Sequence, residues 1–185
     1  MSKIKLADLV VVTSNENKIS EINEILGTNH KVSKINIPEI QSLNLDEVIA
    51  YKAKVAYAKV MKPVLVEDIS LEIRTLNGLP ATFVKFFLEK LGTEGTVKLV
   101  GKSKTDTTVT AAVAIYDGKN LKILKGSVRG TLTPKNRGTG GFGFDKVFIP
   151  NGYKQTYAQM PPSLKNRISH SAKALKKVKK FLATF

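Results

Sequence analysis

Two short apolar runs constrain the fold of this chain more than any other feature of its sequence. Residues 9–12 read Leu-Val-Val-Val, and residues 64–66 read Val-Leu-Val. A run without alternating polar residues is typical of a strand that is covered on both faces, because neither side of such a strand meets water. Each run lies next to a segment with helical periodicity. The sequence therefore predicts an α/β or α+β fold built on a mixed sheet.

The remaining elements follow from periodicity and from turn residues. Helices are predicted around residues 19–26, 44–61 and 82–91 and from Ser169 to the end of the chain, and further strands over residues 31–37, 107–116 and 121–128. Asn44 and Glu47 have the spacing of a capping box, and Asp117-Gly118 is a turn signal that predicts a hairpin. The chain has no repeat, low-complexity tract or linker, so we expect a single domain over residues 1–185.

Composition excludes several classes of chemistry. The 185 residues include no cysteine, which excludes disulfides, thiolate metal sites and a cysteine nucleophile. Neither a membrane-spanning apolar stretch nor a signal-peptide cleavage site is present, so we expect a cytoplasmic protein without a membrane partner. Thirty basic residues against fifteen acidic ones give a net charge of +15. That charge indicates an anionic partner, either a nucleic acid, an acidic membrane surface or a small phosphorylated substrate.

A polar segment between the first strand and the first helix is a candidate phosphate site. It contains Thr13, Ser14, Asn15 and Lys18. The first turn of a helix has free backbone N–H groups and a positive dipole end, which together attract phosphate, and Lys18 lies on the same side of that turn. The alternative is simple capping of the helix by Ser14 or Asn15. The segment is not a Walker A loop, because it lacks the glycines.

Carboxylates near the ends of two predicted strands are candidate metal ligands. Glu67 and Asp68 directly follow the second apolar run, and Glu39 follows Pro38. Ligands in open α/β sheets bind at the carboxyl edge, and carboxylate oxygens can hold Mg²⁺ against a polyphosphate. The alternative is that each acid is a solvated turn residue paired with a lysine.

Two later segments could contact a nucleobase. The glycine-rich loop up to Asp145 contains Phe142 and Phe144, either of which could stack on a base or pack into the core. His170 would lie in the first turn of the last helix, where the dipole favours a neutral imidazole that can both donate and accept. Lys52 lies at the margin of an apolar helical stripe, which is an unusual position for a solvated lysine.

Taken in order, six segments resemble the noncanonical purine nucleoside triphosphate pyrophosphatases, the inosine triphosphate pyrophosphatase family. The segments are TSNENK at residue 13, Glu39 after a proline, VLVEDISL, LNGLP followed by KFFL, GFGFDKVFIPNGYKQTYAQM, and KNRISH. Each motif alone is weak, and their order and spacing over nearly the whole chain make the resemblance strong.

The resemblance implies Mg²⁺-dependent hydrolysis of ITP, dITP and XTP to the monophosphate and pyrophosphate. It also implies a long, bent mixed sheet flanked by helices, two lobes around a central cleft, and a homodimer. Asp68 would be the catalytic residue, and the metal would be held by Glu39 and Asp68, with Glu67 as a further candidate. The implied substrate-binding residues are Thr13, Ser14, Asn15, Lys18, Lys52, Ile69, Lys85, Phe142, Gly143, Phe144, Asp145, Lys165, His170 and Ser171.

The chain departs from the family pattern at several positions. Ser171 stands where the family has an arginine, which removes a planar donor fork from the base site. Further departures are Ile69-Ser70 for a small polar residue and glycine, Ala81 for glycine, Lys146 for proline and Gln159 for glutamate. The acidic and phosphate-binding residues are intact, so we expect activity to be retained, with base selectivity most affected.

Two alternatives compete with this interpretation. A nucleic-acid-binding protein on the same fold, without hydrolysis, would use the lysines of residues 173–180. Leu175, Val178 and Leu182 recur there at helical spacing, which predicts an ordinary amphipathic surface helix, so we do not expect a nucleic-acid partner. The septum-formation-inhibitor-like pyrophosphatases share the fold, but their S-x-S-P-R-R loop does not match residues 13–18.

Overall fold

The computed structural model describes residues 5–30, 32–101 and 105–184. Its helices and strands alternate in the first half and give way to a long hairpin in the second. In chain order the elements are β1 (Val10–Val12), α1 (Glu16–Leu26), β2 (Val32–Ser33), α2 (Leu45–Val60), β3 (Val64–Ile73), β4 (Pro80–Ala81), α3 (Val84–Lys98), β5 (Asp106–Tyr116), β6 (Leu121–Leu132), β7 (Phe148–Pro150), α4 (Pro162–Ile168) and α5 (His170–Leu182). The predicted mixed α/β fold is thus confirmed.

The seven strands within the described ranges form one open, mixed sheet. Its order is β2-β1-β3-β5-β6-β7, with β4 paired to β3. β1 runs parallel to β2 and β3, and the remaining pairs are antiparallel. β1 ends at Val12, whereas β3 continues to Ile73 and stays paired with β5 along its whole length. The segment that follows β1 therefore leaves the sheet beside the middle of β3.

Helices on both faces of the sheet explain the two apolar runs. Val10 and Val12 belong to the core cluster under α2, together with Val64 and Val66. Leu9 and Val11 alternate with them and pack with Leu65 in the cluster under α1 and α5. A third cluster joins α3 to β6 and β7. Because successive strand residues point to opposite faces, a strand covered by helices on both sides must be apolar throughout.

α5 approaches β6 more closely than side chains would normally allow. A Cβ added at Gly126 would lie 2.4 Å from the backbone nitrogen of Ala174 and 2.4 Å from the carbonyl oxygen of His170. Contacts below 3 Å do not occur between real Cβ atoms and backbone atoms, so the first turns of α5 rest directly on the backbone of β6.

Several predicted boundaries were wrong. The strand predicted over residues 31–37 is reduced to Val32–Ser33, and its first residue lies outside the described residues. The second apolar run does not end a strand, because β3 continues through Glu67 and Asp68. α3 runs to Lys98, with Gly92 breaking its helical backbone at φ 69°. β4, β7 and α4 were missed.

Other boundaries were confirmed. α1 is closed by Gly27 in the left-handed conformation, α2 starts after Asn44, and the hairpin joins β5 to β6 at Asp117. The Asn44 side chain accepts a hydrogen bond from the Asp46 backbone. No helix in the described part of the chain is long and apolar enough to cross a membrane.

Candidate active site

A cleft of about 450 Å³ opens where the segment after β1, the middle of β3, the start of α3 and the α4–α5 junction converge. All the residues that the family resemblance implied as substrate-binding line it. They are Thr13, Ser14, Asn15, Lys18, Lys52, Ile69, Lys85, Phe142, Gly143, Phe144, Asp145, Lys165, His170 and Ser171. Glu39 and Asp68 line the cleft as well. These residues come from distant parts of the chain, and the fold brings them together around one cavity.

The candidate phosphate segment, residues 13–18, combines helix capping with an open helix end. Asn15 caps α1 by accepting a hydrogen bond from the backbone of Asn17 at 3.0 Å, and the Thr13 hydroxyl accepts one from the backbone of Asn15 at 3.1 Å. The capping alternative is therefore present in the structure. It does not exclude anion binding, because the positive end of the α1 dipole and Lys18 still face the cleft.

Lys52 bridges two carboxylates at one end of the cleft. Its Nζ lies 2.9 Å from Oε1 of Glu39 and 2.9 Å from Oδ2 of Asp68. Burial acts to raise the pKa of Asp68, but the ammonium groups of Lys52 and Lys18 outweigh it, and the pKa of this carboxyl lies below its ordinary value. Asp68 is therefore ionised at neutral pH, and Glu39 remains 43% exposed.

This end of the cleft fits a divalent ion that arrives with an anionic substrate. No group of three His, Asp or Glu side chains suited to a metal occurs among the residues the structure describes. The donor set is instead two carboxylates that now share one ammonium group. Mg²⁺ commonly takes only one or two carboxylates and completes its shell with water and phosphate oxygens. Glu39 and Asp68 match that requirement.

Glu67 is placed differently from the other predicted ligands. Its side chain is buried behind the cleft, where Oε1 accepts a 2.5 Å hydrogen bond from the Ser171 hydroxyl and Oε2 lies 3.8 Å from Nζ of Lys18. The buried carboxylate thus links a residue of the phosphate end to a residue of the opposite end. It does not line the cleft in this structure.

The opposite end of the cleft is built around Lys165. Its Nζ lies 2.5 Å from Oε1 of Glu21 and 2.5 Å from Oδ2 of Asp145, and 4.6 Å from the centre of the Phe142 ring. Burial lowers the pKa of Lys165, but the two carboxylates outweigh it and raise the pKa. One ammonium cannot neutralise two buried carboxylates, so burial leaves the pKa values of Glu21 and Asp145 raised.

The sequence left open whether the two aromatic residues of the glycine-rich loop stack on a base or pack into the core, and the structure places one of them at the cleft and the other in the core. Phe142 is only partly buried and borders the cleft, with its backbone N–H donating to Asp145 at 2.9 Å. Phe144 is buried in the core and makes an edge-on contact with Phe148. A base entering the cleft could therefore stack on Phe142, whose ring also carries the Lys165 ammonium.

His170 is a buried, neutral histidine at the cleft wall. Burial, together with the charges of Lys165 and Lys18, lowers its pKa to about 3. Its Nδ1 has no hydrogen-bond partner within the described residues. Since buried polar atoms are almost always paired, this nitrogen is suited to a polar group of a ligand.

Sequence reasoning missed some of the lining residues. Glu21, Thr82, Val84, Leu88 and Glu89 also border the cleft. Glu21 was detectable, because it lies one helical turn after Lys18 on the same face of α1. Thr82 was not, because its hydroxyl is held by the carbonyl of Ser42, forty residues away in the sequence.

Comparison with known proteins agrees with the geometry. The chain is 39% identical over 181 residues to the inosine triphosphate pyrophosphatase of Yarrowia lipolytica, covering 95% of each chain. It is 36% identical over 178 residues to the dITP/XTP pyrophosphatase of Thermococcus kodakarensis, covering 94% of this chain and 96% of that one. Enzymes of this kind generally depend on a divalent metal.

Solved structures share the fold at lower identity. A HAM1 protein from Coxiella burnetii superposes with a TM-score of 0.78 at 24% identity, covering 96% of this chain and all of the other. The Ham1 protein of Staphylococcus aureus gives a TM-score of 0.77 at 23% identity, covering 95% and 98%. The sequence model of the Ham1 family matches residues 9–181. On the strength of that match and of these relatives, the chain belongs to the Ham1 family.

Proposed function

We propose that this protein hydrolyses noncanonical purine nucleoside triphosphates, namely ITP, dITP and XTP, to the monophosphate and pyrophosphate. The observation that carries the proposal is the difference between the two ends of one cleft. Three lysines, the open end of α1 and the ionised Asp68 occupy one end, and the other end places the Phe142 ring beside the enclosed Lys165 cluster. The names of the relatives, which are inosine triphosphate and dITP/XTP pyrophosphatases, support the same reaction.

The charged end would bind the triphosphate. Lys18 extends from α1, Lys52 from α2 and Lys85 from the start of α3, so three cations reach the cleft from three helices. The Lys85 side chain is 68% exposed and only 3.9 Å from Glu89, which leaves it able to turn toward a bound phosphate. Fixed cations and an open helix end stabilise the negative charge that accumulates on the phosphates and on the departing pyrophosphate.

Glu39 and Asp68 would hold Mg²⁺, whose charge would neutralise the phosphate oxygens when the ion is bound. Lys52 currently contacts both carboxylates, and it would move from between them toward the phosphates. Asp68 accepts a 2.9 Å hydrogen bond at Oδ1 from the backbone of Ile69, which fixes the orientation of its carboxylate.

Asp68 would orient the attacking water and accept its proton. Its lowered pKa keeps it ionised, so an oxygen lone pair is available at neutral pH. Attack on the α-phosphorus breaks the bond to the β-phosphate, and the electron pair leaves with pyrophosphate. The nucleoside monophosphate keeps the new oxygen.

The other end would hold the base. Phe142 would stack on it, and Lys165, Asp145 and the unpartnered His170 nitrogen would face its polar edge. Neutral His170 can accept a hydrogen bond there, whereas an imidazolium could only donate. We further propose, from the family resemblance, one catalytic domain over residues 1–185 that acts as a homodimer in the cytoplasm.

Pyrophosphate release with Mg²⁺ over ITP, XTP, dITP, GTP and ATP tests the proposal. We expect turnover of the first three at higher rates than of ATP. Asp68→Asn removes the carboxylate that accepts the proton, so we expect the rate of hydrolysis to fall by about 10²–10⁴-fold. Asp8→Asn is the matched control, because Asp8 is an exposed acid outside the cleft. The proposal fails if no triphosphate is hydrolysed, and the role of Asp68 fails if the variant works at the wild-type rate.

A further inference from the structure

The net charge of this protein is concentrated in its C-terminal part. Residues 118–185 contain fifteen of the thirty basic residues but only one of the fifteen acidic residues, Asp145. Residues 1–117 contain the other fifteen basic residues and fourteen acidic ones, so that part is nearly neutral. Strong charge asymmetry between two parts of a chain is typical of proteins that bind nucleic acid or a membrane surface.

The fold arranges six of these cations in what we call the cationic belt. Its members are Lys125 and Arg129 of β6 and Lys173, Lys176, Lys177 and Lys180 of α5. All six are exposed. α5 packs along β6, so the belt follows one border of the sheet, and none of its six residues lines the cleft.

Backbone contacts fix part of the belt in place. β7 pairs with β6 only from Gly130 to Leu132, so residues 121–129 have an outer edge with no strand partner in the described part of the chain. Nζ of Lys173 donates to the carbonyl of Ser127 at 3.0 Å, and Nζ of Lys177 donates to the carbonyl of Lys125 at 2.7 Å. Those carbonyls are two strand residues apart, about 6.6 Å, so the two ammonium groups are held side by side along the same edge of β6.

Little of this charge is compensated. Within the described ranges, Lys125 is the belt member that forms an ion pair, with Asp46 at 2.8 Å. Lys176 donates to the carbonyl of Arg167 at 2.9 Å, as Lys173 and Lys177 do to carbonyls of β6. A carbonyl oxygen orients an ammonium group without neutralising it, so the surface retains a positive potential.

The belt is suited to a phosphate backbone rather than to a membrane. Leu175 and Val178 of α5 are fully buried against the sheet, and only Phe181 and Leu182 at the end of the helix remain partly open to water within the described residues. Two partly buried residues do not form the wide apolar face with which a helix enters a lipid surface. Nζ of Lys122 lies 5.2 Å from the centre of the Phe181 ring, so a cation already occupies the ring that could stack on a base. Contacts would be made to phosphates alone.

We propose that the cationic belt binds the phosphate backbone of a nucleic-acid duplex without reading its sequence, independently of the cleft. This revises the expectation from sequence that nucleic acid is not a partner. The overall charge of +15 did not distinguish a substrate-attracting surface from a docking surface, whereas the one-sided, carbonyl-anchored arrangement favours docking. The proposal does not depend on the hydrolytic reaction.

Fluorescence anisotropy with a mixed-sequence DNA duplex of about 20 base pairs tests it. The belt variant combines Lys173→Gln, Lys176→Gln, Lys177→Gln and Lys180→Gln. We expect duplex affinity to fall steeply with salt for the wild type. In the belt variant the affinity should drop at least about tenfold, and the slope of log affinity against log salt should shrink by about 3 to 4, because each lost phosphate contact removes about 0.9.

The matched control removes the same charge elsewhere. It combines Lys54→Gln, Lys59→Gln, Lys90→Gln and Lys98→Gln, all exposed helical lysines of the first part of the chain. Duplex affinity of the control should stay within about twofold of the wild type. Circular dichroism and pyrophosphate release of the belt variant should match the wild type, which separates loss of docking from loss of folding.

Three outcomes of the duplex measurements would overturn the proposal. They are the absence of duplex binding at about 50 mM salt, an equal loss in the control variant, and displacement of the duplex by saturating ITP. Binding to phosphatidylserine vesicles but not to the duplex would assign the belt to a membrane and would also overturn it. Asp68→Asn should bind the duplex normally, so failure of the proposed hydrolysis would not be confused with failure of docking.

Discussion

Each end of the cleft contains a lysine that bridges two carboxylates, and the two clusters differ in their access to water. Lys52 joins Glu39 and Asp68 at 2.9 Å each, and the Glu39 side chain is 43% exposed, although Lys52 and Asp68 are only 13% and 15% exposed. Lys165 joins Glu21 and Asp145 at 2.5 Å each, and none of these three side chains is more than 16% exposed. The same chemical unit thus occurs once with one acid open to water and once with all members enclosed.

The difference indicates two different uses of an ion pair. In the open cluster the pKa of Asp68 is lowered, so its charge persists when Lys52 moves, and a divalent ion can take the place of the ammonium. In the enclosed cluster burial raises the pKa values of both acids, so the charge of Lys165 is needed where it is. The first cluster is suited to exchange, and the second to a fixed base site.

The largest expected effect comes from removing each lysine in turn. Lys165→Met would leave two buried carboxylates without a cation and should lower the free energy of unfolding by about 3–5 kcal/mol. Lys52→Met leaves Glu39, which is 43% exposed, and Asp68, which keeps the charge of Lys18 nearby, so it should cost less, about 1–2 kcal/mol. Urea denaturation measures both values.

A rescue variant makes this comparison stricter. Adding Glu21→Gln and Asp145→Asn to Lys165→Met removes the stranded charges and should restore most of the lost stability. Equal losses for the two single lysine variants would show that the clusters do not differ in the way described.

A smaller effect is expected from the pH dependence of the base end. The pKa of His170 is lowered from 6.5 to about 3, so between these values the unfolded chain binds a proton that the folded protein excludes. Its contribution to stability is therefore complete above about pH 6.5 and is lost as the pH falls, by up to about 1.4 kcal/mol per pH unit.

Urea denaturation at about pH 7 and about pH 5 tests this prediction. The wild type should lose about 2 kcal/mol more than His170→Asn between the two pH values. His30, whose pKa burial also lowers, is present in both proteins and cancels in the difference. Equal losses in the two proteins would mean that His170 is protonated as easily in the fold as in the unfolded chain.

The smallest expected effect concerns base selectivity. The Ser171 hydroxyl donates to the buried Glu67, so it is not free for the base. In Ser171→Arg the guanidinium can pair with Glu67 and still present N–H groups to the cleft, and the preference for ITP over ATP should rise about tenfold. Ser171→Ala is the control and should leave the ratio of the two rates unchanged. An unchanged ratio in the arginine variant would show that the missing arginine does not set selectivity.

The fold was predictable where one element carried its own pattern. The apolar runs, the helix closed by Gly27 and the turn at Asp117 are local signals, and all three were confirmed. The extension of β3 through Glu67 was not predictable, because that carboxylate is stabilised in a strand by Ser171, 104 residues away. α4 was hidden because Pro161 and Pro162 read as a break, although Pro162 occupies the first helical turn.

The site was predictable in membership and less so in arrangement. Motif spacing identified residues that the structure brings to one cleft, and their catalytic roles remain predictions. The ion pairs could not be predicted from the sequence. Nothing local indicates that Lys52 lies between Glu39 and Asp68, or that Glu21 lies beside Lys165. Such pairings depend on how separate helices meet over the sheet.

The bare backbone contact at Gly126 has a consequence for how this site can vary. His170 and Ser171 start the helix that rests on this glycine. The position of these two residues in the cleft is therefore set by direct contact with the backbone of β6 and not by a layer of side chains. A methyl group at residue 126 would lift the start of α5 and reshape a pocket that it does not touch. Substitutions of the exposed lysines of α5 would leave the distance between α5 and β6 unchanged. The shape of this end of the cleft therefore depends on a residue that carries no chemistry of its own.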